Sequence, residues 1–243
     1  MSEAPKWTST AGEQATPPGP VLLLCAHGTD NLEGRAVVDA LAARVAARGV
    51  RVEQTWVDVQ YPQVEEVLTG LVGAGERVVV VPALLSAGYH TQVDIAGAVA
   101  AHPGRALATA ALGPDPRLAD LLHRRLVEAG AEPTDAVVLA AAGSSRGEAA
   151  EAVREVAALL EQRWGGPVSV GFGAKAEPSV AEAVRAARVG TSGRVVIASY
   201  LLAPGFFHDR LVDQGADVVT APLGVAEELD EIVLARYRSE ANL

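Results

Sequence analysis

Apolar residues in this chain fall into short blocks separated by stretches of helical spacing, and the alternation recurs. Val21 to Cys25 is an apolar run ending in the Gly-containing turn AHGTDNLEG, and the Ala-rich amphipathic stretch Arg35 to Arg48 follows it. That order predicts strand, loop and helix. Arg51 to Val59 alternates apolar and polar residues as a second strand, Tyr61-Pro62 interrupts it, and Val64 to Val72 returns to helical spacing. RVVVVPALLS, from Arg77 to Ser86, predicts a third strand. Strands alternating with helices imply right-handed crossovers and a parallel sheet covered on both faces. Ligands in such sheets bind outside the strand carboxyl ends, so the loops there are where chemistry is expected.

The second half repeats the first. VLLLCAHGT at Val21 lies beside AVVLAAAGS at Ala136, and RVVVVPALLSAG at Arg77 beside RVVIASYLLAPG at Arg194, offsets of 115 and 117 residues. Between them WVDVQYPQVEE near Trp56 matches FGAKAEPSVAE near Phe172, with Pro62 over Pro178. The expected organisation is α/β, with two tandem lobes of about 110 residues, each a parallel sheet flanked by helices. Residues 1–20 are expected to be a flexible tail, 21–130 a first, reactive lobe and 131–243 a second, degenerate one. LGPDPRLADLLHRRLVEAG predicts a helix closing the first lobe, and AEPTD a turn into the second.

Composition narrows the function. A net charge of −10 without a basic run argues against a nucleic-acid partner. The single cysteine, Cys25, excludes an intrachain disulfide or a multi-cysteine cage and fits a reducing cytoplasm. No apolar run approaches the roughly 20 residues that span a bilayer, so no membrane partner is expected.

His27 stands where the first strand gives way to a helix, beside Gly28 and Thr29, and His90 holds the corresponding place after the third strand, beyond Ser86 and Gly88. Asp58, near the end of the second strand, is the third candidate. Two neutral imidazoles and an acid suit a divalent first-row metal and leave coordination positions open. An imidazole with a pKa of about 6.5 also suits proton acceptance. Each residue has a plainer reading, as turn, cap or packing group. Cys25 reads as packing, His102 and His123 as solvated or structural, and His208 as a residue able to line the cleft from the second lobe. Ala142 and Ala174 stand where His27 and Asp58 stand, so the repeat predicts one reactive lobe and one that shapes the cleft.

AHGT around His27, the acidic strand before Pro62 and LLSAGYHTQVDI around His90 together resemble the sirohydrochlorin chelatases of the class II chelatase superfamily, over nearly the whole folded chain. The resemblance implies two tandem flavodoxin-like lobes facing a cleft and ATP-independent insertion of iron or cobalt into sirohydrochlorin, with His27 and His90 at the metal, no nucleotide, and an acidic residue at the position of Asp58. The absence of a His-rich tract or cysteine cluster leans the reading toward Fe2+ and siroheme over Co2+ or Ni2+. Thr29, Ser86 and Ser144, with Arg35, Lys175 and Arg210, are candidate contacts to the substrate carboxylates. Tandem lobes standing in for a dimer allow a monomer, and a homodimer is the alternative. A non-catalytic tetrapyrrole or metal carrier, and a phosphate-ligand domain using the Gly28 and Gly143 loops, are the rival readings.

Overall fold

The computed structural model describes residues 19–86 and 88–241, with 89–92 as backbone only. Residues 1–18 of the expected tail lie outside this range. The first sheet runs β2-β1-β3-β4, from β1 (Val21–Ala26), β2 (Val52–Trp56), β3 (Val78–Pro82) and β4 (Ala106–Ala108), all parallel. The second runs β6-β5-β7-β8, from β5 (Ala136–Ala141), β6 (Val168–Phe172), β7 (Val195–Tyr200) and β8 (Val218–Val219), again parallel. The helices are α1 (Leu32–Ala46), α2 (Val64–Gly73), α3 (Tyr89–Ala100), α4 (Pro116–Glu128), α5 (Gly147–Trp164), α6 (Val180–Gly190), the short α7 (Phe206–Asp209) and α8 (Glu227–Ala241).

β1 is apolar at every position because both its faces are covered. Leu22 and Leu24 point into a core shared by both lobes, whereas Leu23 and Cys25 point into an outer cluster with α2 and α3. Helix starts follow side-chain chemistry. Asn31 accepts the Gly34 N–H at 2.8 Å ahead of α1, Asp115 caps α4 with Pro116 at its first position, and Ser179 and Glu182 form a capping box on α6.

The structure departs from the sequence pattern in three places. β3 stops at Pro82 rather than Ser86, because beyond Ala83 the backbone bonds elsewhere: the Leu84 carbonyl accepts Leu112 N–H at 2.8 Å and the Leu85 carbonyl accepts the Tyr200 hydroxyl at 3.0 Å. The edge strands β4 and β8, of 3 and 2 residues, are too short to leave a pattern. The third departure is α4, expected to close the first lobe. It packs against α5 and β7 of the second, while α8 packs against α1 and β3 of the first.

Paired contacts hold this exchange. Arg125 on α4 donates to the Leu223 carbonyl at 2.6 Å, and Arg236 on α8 donates to those of Ala111 and Leu112 at 3.1 and 3.3 Å. Tyr237 donates to the Pro20 carbonyl at 2.6 Å. One continuous core of β1, β3, β5, β7 and helices α1, α4, α5 and α8 therefore lies between the sheets.

Candidate functional site

In the first sheet, β1 and β3 are neighbours whose following helices leave on opposite faces. α1 covers the shared core, and α3 covers the outer cluster through Ile95 and Ala98. The boundary between β1 and β3 is thus the topological switch point, where a crevice opens at the strand carboxyl ends. His27 follows β1, and the backbone of His90 lies in the first turn of α3, which follows β3. The side chain of His90 lies outside the described residues.

The turn after β1 is built by its neighbour. Val57 N–H donates to the Ala26 carbonyl at 2.9 Å and Asp58 N–H to the His27 carbonyl at 3.0 Å, which extends the β1–β2 ladder past the strands and sets the two candidate residues on adjoining loops. Gly28 has φ 100, and a side chain there would overlap the Asp58 carbonyl, so only glycine fits. His27 and Asp58 are both exposed. One Asp58 carboxylate oxygen accepts the Val59 N–H at 2.7 Å.

Thr29 N–H donates to Oε1 of Gln60 at 2.9 Å, and the Thr29 hydroxyl oxygen accepts Asn31 N–H at 3.1 Å. Gln60, which the sequence pattern did not single out, thereby ties the His27 loop to the Asp58 loop. Arg35 donates to the Thr29 carbonyl at 2.8 Å and so braces the same turn. Among the described residues, which omit the His90 imidazole, no three of His, Cys, Asp and Glu gather into a metal cage.

The second lobe closes on this edge from two sides. Its loop after β7 abuts the first turn of α1: a side chain on Gly205 would meet Asn31 Cβ at 3.6 Å and the Thr29 hydroxyl at 3.8 Å. Tyr200, fully buried, donates across the lobes to the Leu85 carbonyl in the segment leading to Ser86, Gly88 and His90. Burial, reinforced by Asp115, pushes its phenol well above the ordinary value, so it remains a donor. A pocket of about 390 Å³ opens where Pro82, Leu84, Val93 and Ile95 meet Arg146 of the second lobe. Ser144 accepts the Arg146 N–H at 3.2 Å, which fixes that loop.

The other histidines and the cysteine have identifiable occupations. His208 is half-buried, with Nε2 3.1 Å from the Thr220 carbonyl. The residue of the second lobe in register with His90 is Phe207. His102 pairs with the Thr69 hydroxyl at 3.2 Å, and His123 meets the Trp164 ring edge-on at 6.2 Å. Cys25 is fully buried, and burial, with Asp94 nearby, pushes its thiol up to about 12. It is packing, not a nucleophile.

In the second lobe the same turn recurs with different side chains. Ala174 N–H donates to the Ala142 carbonyl at 2.9 Å, and Gly143 has φ 91 beneath the Ala174 carbonyl. Pro62 and Pro178 both follow cis peptide bonds.

The CbiX family model matches this chain twice, over residues 21–129 and 136–240. Among solved structures the chain is similar to SirB from Bacillus subtilis with Fe3+, at 20% identity and TM-score 0.78, over 91% of this chain and 95% of that one. It is also similar to the sirohydrochlorin chelatase SirB of Bacillus subtilis subspecies spizizenii in complex with cobalt, at 19% identity and TM-score 0.75, over 91% and 95%. A third similarity is to CbiX, described as the terminal enzyme for biosynthesis of siroheme in denitrifying bacteria, at 21% identity and TM-score 0.64, over 90% and 99%. No curated protein matches the chain. Two consecutive matches to one model, falling on two sheets of identical order that are joined by a common core, establish that this chain belongs to the CbiX family, in a two-lobed form.

Proposed function

We propose that this protein is a sirohydrochlorin chelatase that inserts Fe(II) into the macrocycle to give siroheme, without ATP. One observation carries the reading: the loops bearing His27 and His90 flank the β1/β3 switch point of one lobe, whereas the other lobe has Ala142, Ala174 and Phe207 in register with His27, Asp58 and His90. The Fe3+ bound by one SirB neighbour, the description of the other as a sirohydrochlorin chelatase and that of CbiX as the terminal enzyme for biosynthesis of siroheme support the reading.

In this proposal the macrocycle lies across the crevice with its pyrrole nitrogens toward His27 and His90. Two N–H protons leave as a dication enters, so the reaction is neutral in charge and releases two protons. An imidazole placed there can accept such a proton and pass it to water. The Asp58 carboxylate offsets the charge of the arriving metal, and Thr29, Ser86, Gly88, Ser144 and the Gly28 turn line the rim. Positioning and proton acceptance suffice, with no covalent intermediate.

Anaerobic mixing with metal-free sirohydrochlorin and Fe(II), followed by absorbance, tests this directly. Multiple turnovers are expected, and His27→Ala or His90→Ala should slow insertion by about 100-fold or more. Equal rates in both variants would remove them from the mechanism, and a single stoichiometric uptake would make the protein a carrier.

Cobalt is the second reading, favoured by the cobalt complex of one neighbour. The ratio of kcat/KM for Fe(II) and Co(II) decides between them. Among the described residues no helix is long and apolar enough to cross a membrane. We place the protein in the cytoplasm as a monomer, since the shared core between its lobes already fills the place of a dimer interface; light scattering tests the latter.

A further inference from the structure

The chain has only 3 phenylalanines, and two of them are held out in water side by side. Phe172 is 2% exposed, whereas Phe206 is 67% and Phe207 37% exposed. They pack edge-to-face with centroids 5.3 Å apart, and the Arg210 guanidinium lies 5.0 Å from the Phe206 ring centre. Phe207 is seated over Gly173, where an added Cβ would come within 3.0 Å of its ring. The pair is therefore supported from beneath and open outward.

Its position ties it to the crevice. Phe206 directly follows Gly205, the residue that abuts Thr29 and Asn31 in the His27 loop. In the repeat register Phe206 and Phe207 stand where the first lobe has Tyr89 and His90. The second lobe thus carries rings where the first carries an imidazole.

We infer that Phe206, Phe207 and Arg210 form the macrocycle-docking surface of the second lobe, taking a flat, carboxylate-fringed tetrapyrrole with the Phe206 ring against its face and Arg210 against a carboxylate. This rests on the chelatase reading and names how the lobe without ligands serves it. Exposed rings left in water mark a binding surface. A π face offers no charge and no ligand atom, so it holds the macrocycle without competing for the metal. A guanidinium supplies the forked donors that a carboxylate needs in a protein of net charge −10.

Titration of full-length protein with metal-free sirohydrochlorin, without metal for Kd and then with Fe(II) for KM and kcat, separates the possibilities. Phe206→Ala should raise Kd and KM by about tenfold, leave kcat within about twofold and leave thermal stability unchanged, because the ring is exposed; Phe206→Trp should restore binding. Arg210→Met should weaken binding and reduce its salt dependence. Unchanged Kd in Phe206→Ala, with a wild type that turns over, overturns the docking surface alone. Wild-type protein that binds no tetrapyrrole overturns the chelatase reading and this inference with it. An altered association state in Phe206→Ala with unchanged Kd would make the rings a contact between copies, which also overturns it.

Discussion

At the end of β1 the Asp58 N–H reaches the His27 carbonyl at 3.0 Å, and at the same point of β5 the Ala174 N–H reaches the Ala142 carbonyl at 2.9 Å. Gly28 and Gly143 have φ 100 and 91, and the non-glycine residues Val59 and Lys175 have φ 63 and 60. The backbones agree and the side chains do not. A left-handed residue beside a candidate acid invites a functional explanation of its strain. Because Lys175 shows the same conformation beside Ala174, the strain belongs to the turn. Subtracting what both lobes share leaves His27, Asp58 and the position of His90 as what sets the first lobe apart, the residues the proposed reaction would use, and Phe206 with Phe207 as what the second has in place of Tyr89 and His90.

That division can be broken experimentally, beginning with the largest effect. His27→Ala should lower kcat/KM for metal insertion by about two to four orders of magnitude, whereas Ala142→His should add nothing; insertion restored by Ala142→His in a His27→Ala background would show that either lobe can host the reaction. Gly28→Ala and Gly143→Ala each drive a methyl group into a carbonyl at positive φ, and each should cost about 2–4 kcal/mol in urea unfolding. Only the first should also change kcat under conditions where both variants are folded. Clearly unequal stability losses would break the structural equivalence of the turns.

Tyr200→Phe removes a hydrogen bond that runs from the second lobe to the first, where Ala83 stands in register and returns none. About 1 kcal/mol of stability should be lost, together with a rise in KM if the Leu85 segment positions the His90 loop. The acid side sharpens the contrast further. Arg194, by hydrogen bonding, holds the Asp135 carboxyl below its ordinary range, while Pro20 occupies the corresponding place in the first lobe. The stability Asp135 contributes is complete above an unfolded pKa of about 3.9 and is lost as pH falls through the lower folded value. Asp135→Asn should accordingly flatten that part of an acid unfolding curve. Smallest of all, Val59→Gly should stabilise by about 0.5–1 kcal/mol, since relief of a left-handed β-branched residue exceeds the entropy cost of glycine, and Lys175→Gly should give less.

Much of this was legible in the chain. The β1 and β5 runs, the two Gly turns and the register of Pro62 over Pro178 all follow from local pattern, because a strand buried on both faces must be apolar throughout. β4 and β8 were not, since two or three residues carry no period. Nor was the exchange of α4 and α8: an amphipathic stripe says that a helix is covered, not by which sheet. At the site, His27 and Asp58 were placed by their strands, while the roles of Gln60 and Tyr200 depend on contacts 31 and 115 residues away in sequence. Phe206 and Phe207 did leave a signal, two adjacent rings after a strand in a chain that is 4% aromatic.

Because each terminal helix roofs the sheet of the opposite half, severing the chain in the turn near Asp135 would yield two fragments, each with bare sheet on its inner side and an orphaned helix. Co-expressed, they should find one another and reassemble; expressed singly, they should aggregate. The same interlocking opposes any swing of the halves apart like jaws, so under the proposed function a planar guest is admitted with the shared core intact.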